Sequence, residues 1–339
     1  LLRRAPRRAP PRAADDLPVP TKYNTAAHSP AYFQPDWARH RYTPRRFARH
    51  FSTWPTSLIM KNILPVVTLL TAETAIIAYA PQLAIALPML PFSLTSFMMG
   101  LLLTFRANQS YGRWWEARKL WGGTVNSCRS LARETLNGLR KSSPALCGRG
   151  LCMVVAYVHV LAAHLQGLSD DYLRGVLEEK LEPTEVESIM RSKHRPGGVL
   201  HAMGQVNRAA QERGEIDNVT HLLLSGYVHN LTDYMGACER ILRTPMPLSI
   251  TRHTSRFLMV WMGCLPFALV PQMGALAVPV MAIIAILLFS IDEIGVNLEE
   301  PFRRLPLQDI ANVIEASVVS YKEEHDSMRA VMMNADASA

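Results

Sequence analysis

Side chains that bind metals or act as nucleophiles occur throughout the chain, but their spacing matches no catalytic motif. The cysteines include no CxxC pair and stand at positions 128, 147, 152, 238 and 264. The histidines of the central region, at 159, 164, 194, 201, 221 and 229, follow no ligand pattern. The sequence contains no HExxH motif, phosphate-binding loop or nucleophile elbow. We therefore predict a protein that is not an enzyme, with no metal and no other cofactor.

One acidic residue stands inside a long apolar segment. Between Asn62 and Phe105, Glu73 is the only charged side chain. An ionisable group at membrane depth is costly and is commonly retained for function. Two interpretations stay open: a protonatable acid that takes part in gating, and a carboxyl that hydrogen-bonds to a neighbouring helix.

Two charge-free runs determine the architecture. Thr74–Phe105 has 32 residues and Phe257–Ile291 has 35, and neither contains Asp, Glu, Lys, Arg or His. A membrane-spanning helix needs only about 20 apolar residues. Each run is therefore too long for one span and predicts a two-helix hairpin. The predicted spanning helices are Thr56–Tyr79, a helix beginning near Pro91, Ser249–Val270 and Ala275–Asn297.

The basic residues lie at the borders of these runs. The net charge is +8, but the hairpin turns Tyr79–Pro91 and Val270–Pro279 contain no charge. By the positive-inside rule, both termini and the middle segment lie on the same side of the membrane. This clustering also argues against a nucleic-acid-binding protein.

The rest of the chain has helical composition, with no strand-like alternation. We expect breaks at Pro196–Gly198 and, within the second hairpin, at Gly263, Pro266, Gly274 and Pro279. The predicted segments are a disordered basic arm at 1–35, an interfacial segment at 36–55, a first transmembrane hairpin at 56–106, a soluble helical domain at 107–247, a second hairpin at 248–298, and a C-terminal segment and helix at 299–339.

The first residues, Leu1–Arg12, are rich in Arg, Ala and Pro and contain no acid. This composition is typical of the end of an organelle transit peptide and equally of a disordered basic tail, and both interpretations stay open. The stretch Trp37–Trp54 combines aromatic and basic residues, as interfacial anchors do.

Three separated segments, in this order, resemble the bestrophin anion channels, especially their bacterial and plant-type branch. They are Leu90–Gly122, Thr244–Leu258 and Asp292–Phe302. The resemblance covers about residues 45–325. It implies an all-α, four-transmembrane-helix bestrophin fold with an α-helical soluble domain, assembled as a homopentameric channel around one axial, anion-selective pore.

The resemblance also implies a narrow pore neck on the second spanning helix, formed by Leu90, Leu94 and Met98; a slip in register would bring in Leu102. Residues four apart share one helical face, so five copies would stack as apolar rings. The alternative is that these are packing residues that face other helices.

Further expectations concern charge and a second constriction. Arg106 and Arg113 would raise the local anion concentration, although interfacial snorkelling accounts for either arginine equally well. By resemblance, Val199 is the candidate for a constriction in the soluble part. Arg303 and Arg304 follow Pro301-Phe302, where calcium-activated animal bestrophins carry acids, so we expect no calcium gate of that type.

These expectations amount to a passive chloride channel, passing bicarbonate or other monovalent anions as well, in a thylakoid membrane. The soluble domain and both termini would face the stroma. Its partners would be anions, lipid and further copies of the chain, with no nucleic acid. One alternative is a bicarbonate channel that supplies the thylakoid lumen. Two alternatives of another class are a non-conducting membrane scaffold and a coupled transporter.

Overall fold

A computed structural model describes residues 43–80, 82 and 85–336. The predicted basic arm and the start of the interfacial segment lie outside these residues. The described part is helical and contains no strand. Its helices are α1 Thr43–Thr53, α2 Leu58–Tyr79, α3 Leu90–Leu139, α4 Pro144–Gln166, α5 Asp170–Glu178, α6 Pro183–Arg191, α7 Arg195–Glu212, α8 Asn218–Arg243, α9 Leu248–Met273, α10 Ala277–Glu299, α11 Pro301–Arg304 and α12 Leu307–Asp336.

The chain divides into two compact units. Among the described residues, one unit contains those from Thr43 to Trp115 together with Thr244–Pro301, and the other contains Glu116–Arg243 together with those from Phe302 onward. The long helix α3 contributes its first half to the first unit and its second half to the other. We call them the membrane unit and the soluble unit.

In the membrane unit, α2 packs along α10, and α9 packs against both. Side chains from these helices and from the first half of α3 form one apolar core, in which Leu70, Met99, Met262 and Met281 are almost fully buried. The helix α2 begins where the Ser57 hydroxyl accepts the Met60 N–H, a common N-cap. Many other apolar side chains stay exposed, as expected of helices that face lipid or further protein.

The predicted interruptions of the second hairpin are wrong in part. Gly263 and Pro266 lie inside α9, which continues to Met273, and Pro279 lies in the first turn of α10. The reversal occurs at Gly274, whose φ of 57° is in the left-handed region that glycine adopts without strain. A single 3₁₀ turn, Gly274–Leu276, then leads into α10.

The soluble unit is built around α4. By length and composition α4 could cross a membrane, as could α2, α3 and the α9–α10 segment, but protein buries 78% of its most apolar window, against 22–28% for the others. A helix that is apolar on all sides belongs in a core or in a membrane. Here α5, α7, α8 and α12 cover it, so it is the centre of a protein core.

One further sequence expectation fails in this unit, and one helix forms where none was predicted. Pro196–Gly198 is not a break, because α7 begins at Arg195 and Pro196 occupies its first turn, where a missing N–H costs nothing. The cap comes from the His194 ring, whose Nδ1 accepts the Gly197 N–H at 3.2 Å. The short helix α6 was not predicted; it begins with a capping box formed by Glu182 and Glu185.

Candidate pore-lining helix face

The first half of α3 has two distinct faces. Its buried face consists of residues spaced by seven, four, three and four positions: Phe92, Met99, Leu103, Arg106 and Ser110. This spacing follows the helical repeat of 3.6 residues and presents a single stripe to the rest of the unit. The opposite face is apolar but uncovered.

Three of the predicted neck residues lie on the uncovered face. Leu90, Leu94 and Met98 are 67%, 69% and 51% exposed. Leu102, the fourth candidate, is only partly exposed. Each step of four residues turns about 40° around the helix axis, so a row that begins at Leu90 rotates gradually towards the buried stripe. The structure thus brings three of the four candidates together on the open face and turns Leu102 away from its centre.

Sequence reasoning missed one large residue on this face. Phe97 is 73% exposed, the highest value among the large apolar side chains between Leu90 and Phe105, and Leu101, one turn further along, is also exposed. The row Leu90, Leu94, Phe97, Leu101 alternates steps of four and three and therefore stays opposite the buried stripe. That alternation was the available signal.

Arg106 does not lie free at the membrane edge as expected. Its side chain is almost fully buried, forms a salt bridge with Asp292 of α10 and donates to the Ser255 hydroxyl of α9 at 3.0 Å. Its Nε atom has no hydrogen-bond partner in the described part of the chain. The neighbouring carboxylate neutralises the charge of Arg106. The expectation that a free Arg106 attracts anions is therefore wrong, and this side chain instead connects α3 to α9 and α10.

Arg113 is also held by protein groups. Its guanidinium donates to the backbone oxygen of Thr244 at 2.7 Å and to that of Glu299 at 3.3 Å. Glu299 is the last residue of α10, whose terminal carbonyls have no partners within the helix and carry partial negative charge. Arg113 therefore closes the C-terminus of α10, with its side chain half-buried.

Val199 is fully buried in the core of the soluble unit. A side chain enclosed by its own subunit cannot line a water-filled passage, so the expectation of a soluble constriction at Val199 is corrected. The sequence predicts a break just before Val199, but α7 already begins at Arg195, and its helical geometry directs Val199, Met203 and Val206 to the interior.

Glu73 is half-buried on α2. Within the described part of the chain, its carboxylate has no hydrogen-bond or ion-pair partner, in contrast to Asp292. The buried residue beside it, Thr74, directs its hydroxyl to the Leu70 carbonyl of the same helix. The interpretation in which a neighbouring helix holds Glu73 by a hydrogen bond therefore gains no support from these contacts.

A second constellation lies in the soluble unit, where His164, His194 and Glu239 converge from three helices or their ends. The Nε2 atoms of both histidines lie 2.8 and 2.6 Å from the same Glu239 oxygen. Burial raises the pKa of the Glu239 carboxyl, but hydrogen bonds from His194 and His164 outweigh it and hold this pKa below its ordinary value. These residues are up to 75 positions apart, so their spacing gave no signal.

This ligand set is one that could hold a metal ion such as zinc. However, the Gly197 N–H that points at Nδ1 of His194 leaves the ring proton on Nε2, the atom that contacts Glu239. The arrangement therefore fits a hydrogen-bonded cluster that connects these helices better than a metal-binding site.

The family model described as "Bacterial/Fungal Bestrophin protein" matches residues 36–320. The chain belongs to the bestrophin family. The predicted resemblance is thereby confirmed, together with the all-α fold and its four membrane-spanning helices.

Bestrophin relatives with assigned names are similar over most of the chain. Voltage-dependent chloride channel 2, chloroplastic, of Arabidopsis thaliana is 31% identical over 318 residues, which are 89% of this chain and 74% of that protein. A voltage-dependent anion channel-forming protein of Nostoc is 30% identical over 249 residues, covering 71% and 80% of the two chains. A crystal structure of a bacterial bestrophin homolog from Klebsiella pneumoniae superposes with a TM-score of 0.71 at 29% identity, over 76% of this chain and 97% of that one.

Proposed function

We propose that this bestrophin is a subunit of a passive, anion-selective channel, and that the uncovered face of α3 lines its pore. The observation that supports this proposal is the row Leu90, Leu94 and Met98, large apolar side chains left open on a helix whose opposite face is fully packed. Exposed apolar patches on this scale indicate a surface that meets lipid, another protein or a pore. The anion-channel names of the relatives favour the pore.

The proposed assembly is a homopentamer around one axis. Five copies of the row then form stacked apolar rings, with Leu90 and Leu94 at the centre of the face and Met98 nearer its edge. Leu102 contributes little, because it turns towards protein. Apolar rings hold water weakly, so an ion that gives up its hydration shell at low cost crosses them more easily. This physical selection favours monovalent anions that are weakly hydrated.

The sign of the selected charge requires a source of positive potential. The N-terminus of α3 lies at Leu90, at the start of the row, and helix N-termini carry partial positive charge. The charge of Arg106 is cancelled by Asp292. In this proposal, anion preference therefore comes mainly from the helix terminus and from backbone N–H groups, with no fixed charge to trap the ion.

We propose chloride as the main ion, with bicarbonate also permeant, and a thylakoid membrane as the location. The chloroplastic chloride channels of Arabidopsis support both parts of this assignment. The soluble unit and the termini would lie on the stromal side, since the basic residues flank the spans and the hairpin turns are uncharged. A channel that mainly delivers bicarbonate to the lumen is the second candidate.

The direct test is reconstitution of the purified protein in planar bilayers with a chloride gradient, followed by exchange of chloride for bicarbonate. We expect a current whose reversal potential follows the chloride equilibrium potential. A reversal potential set by cations, or no current from protein shown to be assembled, would contradict the channel proposal. A potential that shifts with a second, co-transported ion would indicate a coupled transporter.

A further inference from the structure

We call Leu90, Leu94 and Met98 the neck row. The segment that carries this row forms two hydrogen bonds with α9. The backbone N–H of Leu87, three residues before α3, donates to the Phe267 carbonyl at 3.1 Å. The indole N–H of Trp261 donates to the Thr95 hydroxyl at 2.9 Å. One bond lies before the row and the other within it, so both ends of the Leu90–Leu94 turn are fixed.

The first bond exists because of a proline. In an unbroken helix the carbonyl of Phe267 would accept the N–H of residue 271, but residue 271 is Pro271, inside α9, and has no N–H. The carbonyl is left without its usual donor, and an unpaired backbone group at membrane depth costs several kcal/mol. The Leu87 N–H supplies the missing donor from outside the helix.

The second bond is part of a short chain of donors. Trp261 donates to Thr95, and the Thr95 hydroxyl donates in turn to the Pro91 carbonyl at 2.7 Å in the first turn of α3. The Trp261 ring also meets the Phe92 ring edge-on, with centroids 5.8 Å apart. Polar and apolar contacts from one side chain therefore act on the same turn of α3.

These contacts fix the rotation of the helix. Thr95 follows Leu94 and lies about 100° further around the axis, on the side of the packed core. Turning α3 so that Leu94 retreats from the open face would carry Thr95 away from Trp261 and pull Leu87 from Phe267. Both donors would then lose their partners, and an N–H group left without a partner in largely apolar surroundings is costly.

We propose that Trp261 and Pro271 are positioning residues for the neck, although neither belongs to the neck row. They set how far Leu90 and Leu94 project into the passage, and through this distance they set the ion selectivity of the channel. This inference rests on the proposed function, in which that row forms the neck. Trp261 acts through Thr95 and Phe92, and Pro271 acts through the carbonyl that it leaves free on Phe267.

The test is a set of near-isosteric substitutions in the full-length channel, with the permeability of thiocyanate relative to chloride as the readout. Trp261→Phe keeps an aromatic ring beside Phe92 but loses the N–H, and Thr95→Val keeps the shape of the acceptor but loses its oxygen. We expect each to change the ratio by about two- to tenfold, the range of one net hydrogen bond. Because both remove the same bond, the double variant should change the ratio no further than either single one.

Pro271→Ala tests the other bond. It restores an N–H that can reclaim the Phe267 carbonyl, which would release Leu87, and we expect the ratio to move by a similar factor. Val260→Ala is the matched control, since Val260 lies beside Trp261 on α9 but is 66% exposed and makes neither contact. Size-exclusion chromatography establishes that each variant assembles.

The failure of this inference can be distinguished from the failure of the proposed function. Suppose that Leu94→Ala changes the thiocyanate-to-chloride permeability ratio while Trp261→Phe and Pro271→Ala leave it at the parent value. The positioning role is then overturned, and the assignment of the neck is retained. Additive effects of Trp261→Phe and Thr95→Val would show that Trp261 does not act through Thr95. If Leu90→Ala, Leu94→Ala and Met98→Ala all match the parent, the neck is wrong and the positioning role is overturned with it.

Discussion

The guanidinium of Arg106 and the carboxylate of Asp292 form a salt bridge inside the membrane unit and join α3 to α10. Removing one partner of a buried pair leaves an uncompensated charge and typically costs about 3–5 kcal/mol. We therefore expect Asp292→Asn to destabilise the assembled protein strongly, as measured by thermal unfolding in detergent. Combining it with Arg106→Gln removes both charges and should recover much of the loss.

An exposed pair provides the control for that experiment. Arg133 and Glu134 also form a salt bridge, but the Arg133 side chain is 59% exposed. Exposed pairs contribute little to stability. Arg133→Gln should leave the melting temperature nearly unchanged. Equal losses for Asp292→Asn and Arg133→Gln would show that burial of the first pair has no energetic importance.

Shortening the neck residues should change conduction. Leu94→Ala and Met98→Ala widen an apolar ring and reduce its tendency to expel water, so single-channel conductance should rise and the preference for weakly hydrated anions should fall. Leu102→Ala should have a smaller effect, because Leu102 is turned towards protein. Leu69→Ala on α2, a leucine that is 62% exposed, is the control. Conductance that responds to Leu69→Ala as strongly as to Leu94→Ala would contradict the assignment.

We propose that Glu73 takes part in gating, because it is the only charged residue between Asn62 and Phe105 and has no hydrogen-bond or ion-pair partner among the described residues. Glu73→Gln removes its charge while keeping its size. We expect the variant to conduct, and the pH dependence of its open probability to be reduced relative to the parent. Macroscopic currents recorded between pH 5 and 8 measure this. A pH profile identical to that of the parent excludes the role.

The His164–His194–Glu239 cluster should make stability depend on pH. The pKa of Glu239 in the folded protein lies below its ordinary value of 4.5, so its ionised form stabilises the fold above that value, and this contribution is lost as pH falls through the folded pKa. Glu239→Gln should lower the melting temperature at pH 7 and flatten its decline at acidic pH. If the melting temperature of Glu239→Gln changed with pH as steeply as that of the parent, the cluster would not contribute to this pH dependence.

A second buried acid should hold the C-terminal helix in place. Glu315 of α12 accepts from His159 at 2.9 Å and from Lys180 at 2.7 Å, and all three side chains are nearly buried. Glu315→Ala leaves the Lys180 charge without its partner, so we expect a loss of about 3–5 kcal/mol in the free energy of unfolding. Protease protection of α12 and denaturant unfolding both test this. Asp326 also lies on α12, but its pair with Arg140 is exposed, so Asp326→Ala should change little.

The limits of sequence reasoning follow from how far apart the interacting residues stand. The ends of α2 and α9 were predicted to within a few residues, since the length of a charge-free run is a local property. That Leu90, Leu94 and Met98 share one face of α3 was also predictable, because residues four apart on one helix form a local pattern. Their role in a pore neck stays a prediction. Arg106 was misjudged because its partner stands 186 positions away.

Val199 and the start of α7 were missed for a related reason. A proline followed by two glycines is ordinarily a turn, and only the His194 ring, which caps the Gly197 N–H, makes it the first turn of a helix. Once the helix is continuous, its geometry places Val199 in the core. Side-chain capping of this kind leaves no periodic pattern in the sequence.

The apolar core helix α4 has a consequence for biosynthesis. As it leaves the ribosome, this 23-residue segment is apolar enough to be taken for a span by the insertion machinery. The helices that cover it, α5, α7, α8 and α12, are all translated later. If α4 were inserted as an additional span, the second hairpin would cross the membrane in the opposite orientation, and the segments after it would lie on the wrong side. Correct topology therefore requires that this segment be kept out of the bilayer until its partners emerge.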